Sequence, residues 1–161
     1  MTFSTEDYED VICPHKDPFI INPLIGQNKI WKLFVDTGSS TSILFHKTYY
    51  KMNREGEQLK PCDEALLCAF GGHPIPFEGT IILLVLLGKL PYIIENPVKS
   101  YVVRIKSPYN VIMGRPLLST FEAVESIPNL KLKFPTKKGV REMRGDQKTA
   151  RIIMLEDLEK D

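Results

Sequence analysis

Apolar and polar residues along this chain recur mostly with a period of two or in short apolar runs, which predicts strands rather than long helices. Phe19-Ile20-Ile21 and Leu24-Ile25-Gly26 read as one strand interrupted near Pro23, with Gln27-Asn28 as a turn and 30–35 as the strand that returns and delivers the chain to Asp36. Ile43, Leu44, Tyr49, Tyr50 and Met52 are spaced loosely as one helical face, broken by Gly56. Segments 66–70 and 80–87 read as the two arms of a long hairpin whose tip is Gly71-Gly72-His73-Pro74-Ile75-Pro76. Segment 101–105 predicts another strand, and Val111-Ile112-Met113 a short buried one. After the turn at Gly114-Arg115-Pro116, the proline opens a short helix to about Val124. Segment 130–134 alternates apolar and basic residues as a half-exposed strand does. Ser4 before Thr5-Glu6-Asp7 predicts a short opening helix with acids in its first turn. The expected class is mainly β with one or two short helices and no internal repeat.

Composition narrows the picture further. The 161 residues carry 21 basic and 20 acidic side chains and are 43% hydrophobic, the balance of one ordinary globular domain without a whole-surface basic field. That balance argues against a nucleic-acid partner. The near-neutral total conceals an acidic start, five acids against two bases in residues 1–30, and a basic stretch, eight bases against two acids in 131–151. Three cysteines, Cys13, Cys62 and Cys68, include no C-x-x-C pair, which predicts free thiols and suits a reducing compartment. The longest apolar run, 81–87, falls far short of the roughly 20 residues of a membrane-spanning helix, and the N-terminus lacks a secretory pattern. A soluble, cytoplasmic chain with no membrane partner is expected.

The stretch Phe34-Val35-Asp36-Thr37-Gly38-Ser39-Ser40 carries the chemistry. Two apolar residues leading to an acid, then a hydroxyl, a glycine and two serines, describe a carboxylate held at a strand end in a tight turn with donors around it. Such donors favour the ionised form, whereas a second carboxylate close by raises the pKa of one member of the pair. That is the requirement of an aspartic protease. Asp, Thr and Gly also make ordinary Asx-type turns, so the triplet gains its weight from the Gly-rich tip about 35 residues on and the apolar-Gly element at Val111-Ile112-Met113-Gly114-Arg115.

Together these elements resemble the retropepsin-like aspartic proteases, specifically the protease segment of gypsy-type long-terminal-repeat retrotransposon polyproteins. The family's D-T/S-G-S-S-x-x-I-L-F is matched by Asp36-Thr37-Gly38-Ser39-Ser40 with Ile43-Leu44-Phe45, and its Y-N-x-I-L-G-R-P by Tyr109-Asn110-Val111-Ile112-Met113-Gly114-Arg115-Pro116. The trailing pattern is matched by Leu132-Lys133-Phe134-Pro135-Thr136, Gly139, Arg144-Gly145-Asp146-Gln147-Lys148 and Ala150-Arg151, and Thr2-Phe3-Ser4 and Pro14-His15 are similar to its lead-in. The resemblance covers residues 2 to about 151. It implies a closed β-barrel half-site within 15–135, an acidic lead-in at 1–14, and a basic C-terminal extension at 136–161 leading toward a further polyprotein region.

The resemblance further implies Asp36 as the catalytic acid, Thr37 as a hydroxyl that bonds across to a second half-site, and Gly38 as a close-approach position beside water and substrate. Ser39 would hydrogen-bond the catalytic carboxylate, with Ser40 beside it in the supporting loop. Phe70, Gly71 and Gly72 would lie at a flap over the substrate, Ile112, Met113 and Gly114 would pack beneath the catalytic loop, and Arg115 would be a structural arginine. Departures from the family are Ser40 where the retroviral branch often has an acid, Ala69 for a flap glycine, Glu122 and Glu125 for Gly and Pro, and Ile152-Ile153 for Glu-Cys.

Peptide hydrolysis of this kind needs two carboxylates, one ionised to activate water and one protonated to polarise the scissile carbonyl. The sequence has one D-T-G, so an active enzyme is expected to be a twofold homodimer pairing two copies of Asp36, acting on polypeptide in retrotransposon polyprotein processing without a cofactor. Cys68 and His73 echo part of a zinc knuckle, but the neighbouring C-x2-C is missing and no metal is expected. The basic stretch 131–151 reads as a solvated strand face and linker rather than an RNA surface. The competing reading is a catalytically inactive descendant that keeps the fold as a dimerisation or peptide-binding module. The intact Asp36-Thr37-Gly38 favours the enzyme.

Overall fold

The computed structural model describes residues 1–52, 59–61, 67–69, 73–75 and 77–159, with 67–69, 73–75 and 157–159 described by backbone alone. A 3-10 helix, Thr5–Tyr8, opens the chain, followed by β1 (Ile20–Ile21), β2 (Leu24–Ile25), β3 (Asn28–Lys29), β4 (Leu33–Val35), β5 (Ser42–Phe45) and α1 (His46–Lys51). Next come β6 (Leu67–Ala69), β7 (His73–Ile75) and the two longest strands, β8 (Phe77–Lys89) and β9 (Tyr92–Val103). β10 (Val111–Met113), α2 (Arg115–Phe121), β11 (Val124–Ser126), β12 (Lys131–Thr136), β13 (Gly139–Arg144) and α3 (Gln147–Glu159) follow.

Eight strands form one sheet in the order β1-β4-β10-β5-β9-β8-β2-β3. β1 and β2 stand near opposite ends of that order yet are separated by only Asn22-Pro23. Three Cα steps reach at most about 11 Å, so the sheet must curl until its ends approach each other. The long arms show the cause of the curl's apolar interior: Ile81, Leu83, Val85 and Leu87 of β8 are buried while Ile82 and Leu84 are exposed, a period-two alternation that fills one face.

The middle of the sheet is different. β10 lies parallel to β4 and antiparallel to β5, with Met113 opposite Val35 on one side and Ser42 on the other. Both faces of these three strands are covered. Leu33, Val35, Leu44, Val111 and Met113 join the main core, while Ile43, Phe45 and Ile112 join Val103 in a second cluster flanked by Phe34 and Tyr109. α3 lays Ala150 and Ile153 against Ile20 on that second side. Two-sided burial turns strand sequences into continuous apolar runs.

That physics accounts for one departure from the sequence reading, and the others have causes of their own. Ile43 and Leu44, expected on a helical face, are strand residues, and the helix begins only at His46. β8 pairs with β9 rather than with 67–69, in a register where Lys89 faces Tyr92 across a two-residue turn, and β6 pairs with β7 in a small hairpin of its own. Gly88 has φ +107° and an added Cβ would stand 2.3 Å from the Tyr92 carbonyl oxygen, so this turn requires glycine. β12 is not half-exposed with its lysines outward, because Lys131 is buried and paired to Asp7 at 3.1 Å and to Glu142 at 3.6 Å. Beyond 136, β13 pairs with β12 along its whole length and α3 packs on β1.

The acidic lead-in is bound to the basic stretch. Ser4 N–H donates to Asp7 Oδ2 at 2.7 Å, and Lys133 Nζ reaches the same oxygen at 3.0 Å. These bonds, with Lys131, hold Asp7 well below the usual carboxylate range, at about 2. Asp10 pairs with Arg144 and Asp17 with Arg151, so the opposite charges of the two ends meet on one surface. Among the described residues, no helix is long and apolar enough to cross a membrane.

Candidate active site

Asp36 is the first residue past β4, and the strands on either side grip the chain there. Val35 N–H donates to the Phe19 carbonyl at 3.0 Å, and Asp36 N–H donates to the Met113 carbonyl at 2.9 Å. Asp36 itself is half-buried, above a floor that includes the buried Val35 and Met113. Thr37 and Gly38 make the turn and are exposed. Gly38 N–H donates to Asp36 Oδ1 at 3.0 Å and Ser39 N–H to the Asp36 carbonyl at 3.1 Å. The carboxylate therefore already holds one charge-assisted backbone bond and keeps its remaining acceptor capacity for other partners.

The loop rests on Gly114. A Cβ there would lie 2.1 Å from the Ser39 carbonyl oxygen, and the next N–H, that of Arg115, donates to that oxygen at 2.9 Å. Glycine is required because two backbones touch. Ile112 and Met113 flank this contact on alternate faces of β10, the first in the second cluster and the second in the main core. Asp36, Thr37, Gly38, Ser39, Ile112, Met113 and Gly114 are thus brought together.

Two supporting residues differ from what the resemblance implies. The Ser39 hydroxyl donates to the Thr41 carbonyl at 2.9 Å and accepts Thr41 N–H at 3.3 Å, a local turn that takes it from the Asp36 carboxylate. Arg115 is exposed, and among the described residues its guanidinium has no ion pair. Its backbone, not its charge, ties the loop to α2. Ser40 is exposed. Phe70, Gly71 and Gly72, expected at a flap, lie outside the described residues, as do Gly56 and Cys62.

Two residues that the sequence reading named without assigning them a role are prominent in the structure. Asn110 sits at the far end of the same three strands. Its side-chain amide donates to the Trp31 carbonyl at 2.6 Å and its side-chain carbonyl accepts from Thr48 at 3.1 Å. Its backbone N–H donates to the Lys32 carbonyl, and its carbonyl accepts from Phe45, so one residue laces β4, β5, α1 and β10 together. The Tyr109-Asn110 pair of the matched motif was its available signal. The other is Glu125 on β11. Both its carboxyl oxygens are buried without a hydrogen-bond partner among the described residues, and burial together with the charge of Asp36 raises it to about 7. Its signal in the sequence was its departure from the family pattern.

No protein-family model matches the chain, and no curated protein matches it. Solved structures do. The retroviral protease-like domain of Ddi1 from Leishmania major superposes with a TM-score of 0.57 at 16% identity, covering 81% of this chain and 97% of that one. The protease of EIAV, solved with the inhibitor HBY-793, gives a TM-score of 0.50 at 20% identity over 73% of this chain and 99% of that one. A retropepsin-like aspartic protease from Rickettsia conorii gives 0.49 at 24% identity, over 78% and 81%. The fold, a curled, mainly β half-barrel with few helices, is retropepsin-like.

Proposed function

We propose that this chain is one half of an aspartic-type endopeptidase, with Asp36 as its catalytic carboxylate and a second copy of the chain supplying the other. The observation that carries the reading is the Asp36 loop: a half-buried carboxylate at a strand end, accepting a backbone N–H from Gly38 and seated on Gly114. A retropepsin-like fold around it supports the same reading.

The chemistry follows from what two such carboxyl groups can do. One, ionised, takes a proton from water as the oxygen adds to the scissile carbonyl. The other, still protonated, gives its proton to the carbonyl oxygen, and the amide nitrogen is protonated as the C–N bond breaks. Two carboxylates about 3 Å apart cannot both ionise, so the pair retains one proton over a working pH range. One D-T-G per chain makes the pair a property of a twofold dimer. The substrate is a polypeptide taken in extended form, and the matched motifs of the sequence favour retrotransposon polyprotein processing as its setting.

The test is cleavage of a peptide library by the purified chain at mildly acidic pH, with and without pepstatin, a transition-state hydroxyl analogue. Asp36→Asn should abolish cleavage while leaving the thermal midpoint in place, and activity per chain should fall on dilution. Undiminished cleavage by the Asn variant sinks the assignment, and concentration-independent activity of a proven monomer sinks the dimer.

A further inference from the structure

At the end of the three central strands away from Asp36, a cavity of about 550 Å³ opens between the start of α1 and the segment leading into β10. That volume is in the range of small-molecule sites. The lining comes from residues 45–48 and 104–110, and none of it belongs to the Asp36 loop. Asn110, on the lining, receives its backbone tie from Lys32, four residues before Asp36. At about 3.3 Å per strand residue, the cavity stands roughly 13 Å from the Asp36 turn.

The inside of the cavity is apolar, and its polar groups are engaged. Phe45 is buried in the second cluster with Tyr109 packed against it, and Ile105 is an exposed apolar residue of the wall. Thr48 Oγ1 donates to Asn110 Oδ1 at 3.1 Å, and the Asn110 amide donates to the Trp31 carbonyl. The Ser107 hydroxyl accepts Tyr109 N–H at 3.1 Å. An apolar occupant loses nothing against such a wall, whereas a polar one gives up water without replacement.

The mouth has the opposite character. Lys47, Arg104 and Lys106 are exposed around it, and the lining contains no acid. The nearest carboxylate, Glu78, is shared: Arg104 Nε and His46 Nδ1 each lie 2.8 Å from its Oε1. Lys47 and Lys106 have no ion pair among the described residues. Positive charge therefore exceeds negative charge at the rim of an apolar cavity.

We propose that this cavity binds a small apolar carboxylate, with its hydrocarbon part against Phe45, Ile105 and Tyr109 and its carboxylate at Lys47, Arg104 and Lys106. Charge-assisted bonds at the rim hold the carboxylate where water still reaches the cations, and the apolar wall takes the rest of the molecule. A free aliphatic or aromatic acid presents this chemistry, and so does the C-terminal residue of a peptide. The site is separate from Asp36, so the inference stands whether or not the chain is a peptidase.

The test is titration of the full chain with 4-phenylbutyrate and with N-acetyl-Phe-Leu, each beside its neutral amide, followed by calorimetry and by backbone-amide NMR shifts. At least one of the two acids should bind with a dissociation constant below about 1 mM. It should bind about tenfold or more tighter than its amide, with shifts concentrated at 45–48 and 104–110. Whichever acid binds identifies the source, free acid or peptide C-terminus. Lys47→Glu/Lys106→Glu, at two exposed positions, should abolish the preference for acid over amide. If that double variant does not fold, Lys106→Gln alone should reduce the preference about threefold. Equal affinity for acid and amide, a preference undiminished in the variants, shifts at 36–39 instead, or no saturation by either acid up to about 10 mM overturns the proposal.

Discussion

Gly114→Ala tests whether the Asp36 loop is held by backbone contact. The added Cβ would meet the Ser39 carbonyl oxygen at 2.1 Å, its carbon at 2.7 Å and the Ser39 Cβ at 2.8 Å. Carbon and carbonyl oxygen ordinarily stay about 3.3 Å apart, so the loop and β10 must separate by about 1 Å. Backbone conformation does not contribute, since Gly114 has φ −101°, on the side of the map open to any L residue. Overpacking of a tight contact costs about 1–3 kcal/mol. The Arg115 N–H bond to Ser39, 2.9 Å in the structure, is strained in addition, for a total of about 3 kcal/mol. For a chain of this size that lowers the thermal midpoint by about 6–12 °C. Displacing a reacting group by about 1 Å costs on the order of a hundredfold in rate, so the variant should lose activity even at temperatures where it is folded. Differential scanning calorimetry and the peptide-cleavage assay read the two effects separately. A Gly114→Ala protein with an unmoved midpoint and the parent's kcat would refute the claim that this contact seats the loop.

Three other perturbations have defined directions. Asp7, held at about 2 by Ser4, Lys133 and Lys131, contributes stability above its ordinary value of 3.8 that is lost as pH falls through 2; acid unfolding of Asp7→Asn should lack that part of the pH dependence. Glu125 has the opposite sign. Its raised value means its contribution is fully present below the ordinary 4.5 and is lost as pH rises through about 7, a loss of about 1–2 kcal/mol after allowance for solvent screening. Urea unfolding at pH 5 and 8 should show this loss in the wild type and not in Glu125→Gln. Glu122 ends α2 with φ +51°, and Glu122→Gly should raise stability by about 0.5–1 kcal/mol in the same assay.

Local chemistry was legible in the sequence wherever it is local. The alternation in β8, the proline-led start of α2 and the turn at Asp36-Thr37-Gly38 all depend on neighbours in the chain, and the sequence marks each of them. What failed depends on distant partners. Ile43 and Leu44 resemble a helical face because β10, from nearly 70 residues later, covers their strand and leaves no polar alternation to read. The first two-thirds of β9 carries Glu95, Asn96, Pro97 and Lys99 on a largely exposed stretch, and its strand character comes from pairing with β8. β13 buries no residue fully and α3 buries only Ala150 and Ile153 among its described side chains, too sparse a pattern to predict either element. Glu125 is a single letter whose burial comes from its place opposite Leu132.

The insertion of β10 between β4 and β5 also sets an order of events. Asp36 cannot be anchored by Met113, nor its loop seated on Gly114, until a segment some 75 residues later has been made and threaded between two strands already present. Closing so long a loop is slow and is rewarded only at the end. On a ribosome, where chains emerge N-terminus first, the motif is exposed long before it is braced. The Asp36 turn therefore gains its brace only once β10 is in place, and on the proposed peptidase reading chains that lack β10 should be inactive.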